Sequence, residues 1–155
     1  MNLVSDNFVE LLFDEFYLVK EKQNSKQYNY LGKNKAGLLI LVDYKDIATV
    51  PEDDMKLLQN IVNAGLLLSM DDISILNIAS YTERSFDDLL LFFKPERMII
   101  WDCEKYLQKQ NIHLKKHQLT TVKGCNILKA DSLAIYINDQ KAKLELWNNG
   151  IKKLK

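Results

Sequence analysis

"LLILVDYKD", residues 38–46, runs apolar from Leu38 to Val42 and turns polar at Asp43. A short apolar run without alternation marks a strand buried on both faces, as the strands of parallel sheets are. Its carboxyl end then delivers Asp43, Tyr44, Lys45 and Asp46 to one edge of the sheet, where open α/β folds hold their ligands. The fold therefore turns on whether strands and helices alternate around this run, and the function on what these polar side chains can do.

Downstream they alternate. Thr49-Val50-Pro51-Glu52 has the capping-box spacing with Pro in the first turn, and the helix it opens carries Met55, Leu58, Ile61 and Val62 to a stop near Gly65. "ISILNIA" from Ile73 reads as a second strand. Ser85 with Asp88 caps a further helix with the stripe Phe86, Leu89, Leu90 and Phe93, which Pro95 ends. "RMIIW" is the third strand, and Asp102 is expected to cap the short helix after it. Then come a strand at Leu119–Val122, a short extended piece at Cys125–Leu128, and a helix from about Asp139 to Lys153. This order predicts a three-layer α/β/α domain around a central, mainly parallel sheet. Upstream, Lys20–Lys35 is polar and ends in Tyr28, Tyr30 and Leu31, a linker followed by a short strand. Val4, Phe8, Leu11, Leu12, Phe16 and Val19, with acids between them, predict an amphipathic helix at the N-terminus. The expected organisation is an N-terminal helix and linker over 1–24 and a single α/β domain over 25–155.

Composition narrows the function classes. A chain of 155 residues, 47% apolar and 27% charged, has enough material for one core without disulfides or metal. The longest apolar runs, Gly37–Val42 and Ala64–Leu68, fall far short of the ~20 residues that cross a bilayer. Asp6, Glu10, Asp14 and Glu15 interrupt the N-terminal stretch where a signal peptide would be apolar, so the expected location is cytoplasmic, with Cys103 and Cys125 as free thiols. These cysteines with His113 and His117 fit no zinc spacing, and no metal or cofactor is expected. Net charge is zero but divided. Residues 1–104 hold 10 basic against 18 acidic side chains, and residues 105–155 hold 11 against 3. Either the basic third faces a phosphate or an acidic peptide, or the two parts neutralise each other on the folded surface.

Several residues stand out singly. Trp101 and Trp147 read as core before interface. Tyr81, Thr82, Glu83 and Arg84 follow a strand's carboxyl end, as a loop beside the candidate cleft. Asp43 and Asp102 both follow strands and suit a shared magnesium ion, as in a phosphoacceptor receiver domain, but the Thr and Lys that chemistry also needs would have to be Thr121 and Lys123, which sit on one segment. Lys141, Lys143, Lys152, Lys153 and Lys155 suit a phosphate backbone, yet no aromatics are interleaved with them for base stacking.

The closing segment, "ADSLAIYINDQKAKLELWNNGIKKL", resembles that of the uracil-DNA glycosylase superfamily in its Ser132-Leu133, the turn Asn138-Asp139-Gln140, the basic Lys143 and the pair Leu146-Trp147. "LLILVDY" sits where that family's first strand meets its catalytic loop. "LLQNIVNAGLLLSMDDISILNIASY" is similar to the helix-Gly-strand stretch that follows, and "DLLLFFKPERMIIWDCEKYL" to its helix-Pro-strand. The resemblance covers residues 37–154 and implies the glycosylase architecture for the domain.

The departures from the family decide the expected function. Active members follow the first strand with a Gly-rich, Pro-containing loop whose acidic or amide residue positions a water. Here Asp43-Tyr44-Lys45-Asp46 has neither Gly nor Pro, and bulky side chains bar close backbone approach to a base. The family's second motif supplies a His, at a place that falls near Leu128–Ser132, and none is there. One non-catalytic branch, the psi subunit of bacterial DNA polymerase III, resembles this chain in size and in the spacing from Leu133 to Trp147. That resemblance implies a non-enzymatic clamp-loader adaptor, with a front segment carrying Phe8, Leu12 and Phe16 to a clamp-loader subunit and a domain reaching single-strand-binding protein through a second subunit. The front end departs from psi, which begins with a polar, Trp-containing peptide. In this reading Tyr44, Lys45, Tyr81, Arg84 and Ser132 line a degenerate cleft. The alternative is a divergent glycosylase or other repair enzyme in which Asp43 holds the water and Asn126 or Lys129 lies near the base. Direct nucleic-acid binding through the basic third is a third expectation, with affinity falling steeply in salt.

Overall fold

The computed structural model describes residues 27–47 and 50–155. The expected N-terminal helix, with Phe8, Leu12 and Phe16, and Thr49 of the capping box lie outside the described residues.

Six strands form one mixed sheet: β1 (Leu31–Gly32), β2 (Leu38–Val42), β3 (Ile73–Asn77), β4 (Arg97–Trp101), β5 (Leu119–Val122) and β6 (Cys125–Ala130), in the order β1-β3-β2-β4-β6-β5. The four inner strands are parallel, and β1 and β5 pair antiparallel at the two edges. "LLILV" is the centre of the molecule, with each of its residues fully buried. Alternation along it divides the core. Leu38, Ile40 and Val42 face one helical layer, and Leu39 and Leu41 face the other. Each such side chain contributes about 2 kcal/mol through burial.

The first layer holds α1 (Glu52–Asn60, continued by a wider turn over Ile61–Gly65), α4 (Leu133–Asn138) and α5 (Gln140–Leu146, continued by a wider turn over Trp147–Ile151 and by α6, Lys152–Leu154). The second holds α2 (Phe86–Phe93) and α3 (Glu104–Lys109). From β2 the chain passes over the first layer to β3 on one side, then over the second layer to β4 on the other. Opposite directions over opposite faces keep one hand of crossover, and they leave a topological switch between β2 and β4. The predicted three-layer α/β/α class is thus the observed one. Among the described residues no helix is long and apolar enough to cross a membrane.

Local signals account for most boundaries. Ser85 accepts from Asp88 N at 3.0 Å to start α2, which ends as Lys94 turns left-handed (φ 48°) ahead of Pro95. Asp139 accepts from Lys141 N and Ala142 N, both at 3.0 Å, to start α5.

Other expectations are corrected. Asp102 does not cap α3. Its backbone is left-handed (φ 53°), and Cys103 holds the N-cap position without a side-chain bond. Pro51 holds the N-cap position of α1. Cys125–Leu128 is not a short extended piece but the start of a central strand reaching Ala130, in register with β4 from Arg97↔Asn126 to Trp101↔Ala130. The helix α4 was not expected at all.

The divided charge folds onto itself. Lys109 meets Glu83 at 2.8 Å, Lys123 meets Asp87, and Lys129 meets Glu104, each joining the basic third to an acid of the preceding chain. Exposed pairs of this kind add little stability, but they cancel much of the asymmetry.

Candidate functional site

The switch point brings Asp43, from the end of β2, beside Asp102, from the end of β4. With Tyr44, Lys45, Glu104 and Lys105 they line an open cavity of about 470 Å³. Asp43 is half-buried, and its side chain has no hydrogen-bond or ion-pair partner among the described residues. Burial raises the Asp102 carboxyl above its ordinary range, and the negative charges of Asp43, Asp131 and Glu104 add to this while Lys129 opposes it. Ionised Asp102 is therefore penalised in the fold, a cost absent at low pH and complete once pH exceeds its folded pKa. Asp102→Asn, which keeps the left-handed backbone favourable, is expected to raise the melting midpoint by about 2 °C near pH 7, a modest effect because the residue is exposed. Thermal melts from about pH 3 to about pH 7 check this, with the gain fading toward the acid end.

Tyr44 closes the site on the other side of β2. Its ring packs against the first-layer core, and its hydroxyl donates to Asp54 Oδ2 of α1 at 2.6 Å. Burial, and then the Asp54 bond, push this phenol far above its usual range. Asn77, only 7% exposed at the end of β3, fastens the loop's backbone. Its carboxamide accepts from Tyr44 N at 3.0 Å and donates to Tyr44 O at 2.9 Å and Ile47 O at 2.8 Å. The same oxygen accepts from Ala79 N at 3.2 Å, so one side chain ties two strand ends together. Residues Asp43–Ile47 are thereby held by fixed bonds that a base-binding loop would need to make available to its ligand.

The other expected site residues scatter. Lys45 is exposed on the rim. Lys129 reaches the correct end of β6 but is held by Glu104. Asn126 is not in the cleft. It pairs with Arg97 at the amino end of the sheet and accepts from Thr121 Oγ1 at 2.8 Å. Thr121 and Lys123 share that amino end, which removes them from Asp43 and Asp102 and so overturns the receiver-type constellation.

Tyr81 and Arg84 turn away to clasp the incoming chain. Tyr81 Oη accepts from Asn29 N at 2.8 Å, and the Arg84 guanidinium lies 4.7 Å over the Tyr28 ring. Ser132 stands at the N-cap position of α4 without a side-chain bond and contributes no group to the cleft. Trp101 is core, as expected, whereas Trp147 is half-buried at the surface of the first layer.

Sequence distance concealed one imidazole. His117 lies upstream in the chain, yet its N–H donates to Lys129 O at 2.9 Å, which places it beside the end of β6. It is 7% exposed and turned into the first layer, with Nε2 2.6 Å from Tyr136 Oη and Nδ1 3.5 Å from Glu145 Oε2. Tyr136 Oη also accepts from Asp131 N at 2.9 Å, so this node locks α4 onto β6. Among the described residues no group of His, Cys, Asp and Glu is arranged to hold a metal ion.

Compared with known proteins, the chain matches no family model and no curated sequence.

Proposed function

We propose that this chain is a non-enzymatic interaction component of the DNA replication machinery, a psi-like clamp-loader adaptor on a degenerate glycosylase-type fold. The observation that carries this reading is the loop after β2, where Tyr44 packs against the first-layer core and Asn77 and Asp54 bind the loop down. Excision of a base requires a pocket for the extruded nucleotide with an activated water beside it. Here the nearest ring is a core-packed phenol, Lys129 is neutralised by Glu104, and the imidazole of His117 is committed to Tyr136. The cavity between Asp43 and Asp102 stays open but receives no imidazole from the described residues, and a fold that keeps its sheet without that group retains its surfaces as its means of action.

The second reading, a divergent glycosylase or other repair enzyme, rests on Asp43, the half-buried carboxylate without a partner among the described residues. Two measurements separate the readings. Uracil-containing single- and double-stranded oligonucleotides treated with the protein and then with alkali are expected to show no scission above background. Affinity capture from the native cytoplasm is expected to enrich clamp-loader subunits or single-strand-binding protein. Scission that Asp43→Ala abolishes would establish the enzyme instead.

A further inference from the structure

Away from the strand ends, a groove of about 330 Å³ opens between α1 and α5, floored by Leu57, Ile61, Leu144, Trp147 and Ile151. That volume falls at the lower end of the roughly 300–1,000 Å³ range of small-molecule pockets. Both walls depart from the α-helix at the groove itself: Leu66 N donates to Ile61 O at 2.9 Å, and Lys152 N donates to Trp147 O, each bond spanning five residues rather than four. Turns of this width are rare, and they gather where a helix is reshaped around a site. Gly65 ends the first of them without a side chain, and a Cβ there would stand 3.2 Å from Cζ3 of Trp147. The glycine leaves the indole its place in the floor.

The charge in the lining has one sign. Lys143 is half-buried and has no carboxylate partner among the described residues, and no acid lines the groove. Asn60 and Gln140 are exposed parts of the same lining, and their carboxamides make no hydrogen bond among the described residues. Tyr136 Oη is already engaged by His117 and Asp131 N. An apolar floor with an ammonium and two carboxamides beside it suits an apolar body that ends in an anion. A cationic or uncharged amphiphile would leave the Lys143 charge unanswered.

We propose that the groove between α1 and α5 binds a small amphipathic carboxylate, with its apolar chain on Ile61, Trp147 and Ile151 and its carboxylate on Lys143. The polar rim of Asn60, Gln140 and Lys143 suits a free molecule rather than a bilayer, into which a protein face inserts by its apolar residues. The inference stands apart from the replication reading, and an empty affinity capture would leave it untouched.

Titration of the full-length protein with sodium decanoate below its micelle threshold, read by calorimetry and by tryptophan emission, tests it. Decanoate is expected to bind saturably, one molecule per chain, and decyltrimethylammonium about ten-fold more weakly. Lys143→Met keeps the apolar stem and should weaken decanoate about ten-fold while leaving decanol unchanged, whereas Lys141→Met, outside the groove, should change neither. The emission change should vanish in a Trp147→Phe background, because Trp101, at 2% exposure, stays shielded. No saturable binding, equal binding of the two decyl ions, or decanoate affinity unmoved by Lys143→Met overturns the proposal. One decanoate per two chains overturns it in favour of an interface between copies. Retention of the protein on phosphatidylglycerol vesicles that Lys143→Met abolishes overturns it in favour of a membrane face.

Discussion

Replacing Asn77 with alanine is expected to cost about 3 kcal/mol of folding stability, close to a 10 °C fall in melting midpoint for a domain of this size. The carboxamide is buried, and its loss deprives Tyr44 N, Tyr44 O, Ile47 O and Ala79 N of these bonds together, in a part-buried site. Unmet backbone groups, rather than lost apolar contact, set the size of this effect. Asn77→Asp separates the two halves of the interaction. It keeps an acceptor for Tyr44 N and Ala79 N but removes both donated bonds and adds a charge, so it should fall at least as far. Urea unfolding of the two variants checks the pair, and a loss below about 1 kcal/mol in either would mean that the loop is not held by this side chain.

The second large effect is local. Gly32 lies in β1 with φ 96°, and a Cβ there would stand 2.1 Å from Ile73 O and 2.9 Å from Met70 O. Both neighbours are backbone atoms, so no rotamer change makes room. Gly32→Ala is expected to lose about 2 kcal/mol, the cost limited because the two-residue strand can leave β3 without opening the sheet. Hydrogen exchange should then quicken on the outer edge of β3, while amides of β2 and β4 keep their protection. Faster exchange across all inner strands would show that β1 supports the whole sheet.

Periodicity explains what could be read in advance. "LLILV" and "RMIIW" are apolar at every or nearly every position, and "ISILN" at three of five, because each is covered on both sides, and Ser85 announced α2 by the bond it makes three residues on. Where the sequence misled, a longer-range contact had overruled the local pattern. "LAIYIN" is rich in β-branched residues, yet it is helical as α4, where Tyr136 Oη meets both His117 and Asp131 N. Asn126 and Lys129 interrupt β6 and made it look like a short piece, although Cys125, Ile127, Leu128 and Ala130 are buried. Asp102 preceded a helix like a cap, but its left-handed turn moves the N-cap position to Cys103.

At the candidate site Asp43 and Tyr44 were visible, and what restrains Tyr44 was not. Asp54 lies 10 residues away and Asn77 lies 33 away, distances over which a single sequence carries no pairing signal. The same limit hid the imidazole beside β6, because nothing in the spacing of His117 and Lys129 announces that they meet.

The order of the sheet also governs how the molecule comes off the ribosome. β4 is complete at residue 101, but its outer neighbour β6 begins at residue 125, and α4 and α5, which share the first layer with α1, follow only after residue 132. A nascent polypeptide therefore carries a half-sheet with the β4 edge unpaired and the first layer covered by α1 alone until β6, α4 and α5 are made. An unpaired strand edge beside exposed apolar surface is the state in which chains associate with one another, so pairing of β6 onto β4 is the step that ends this exposure.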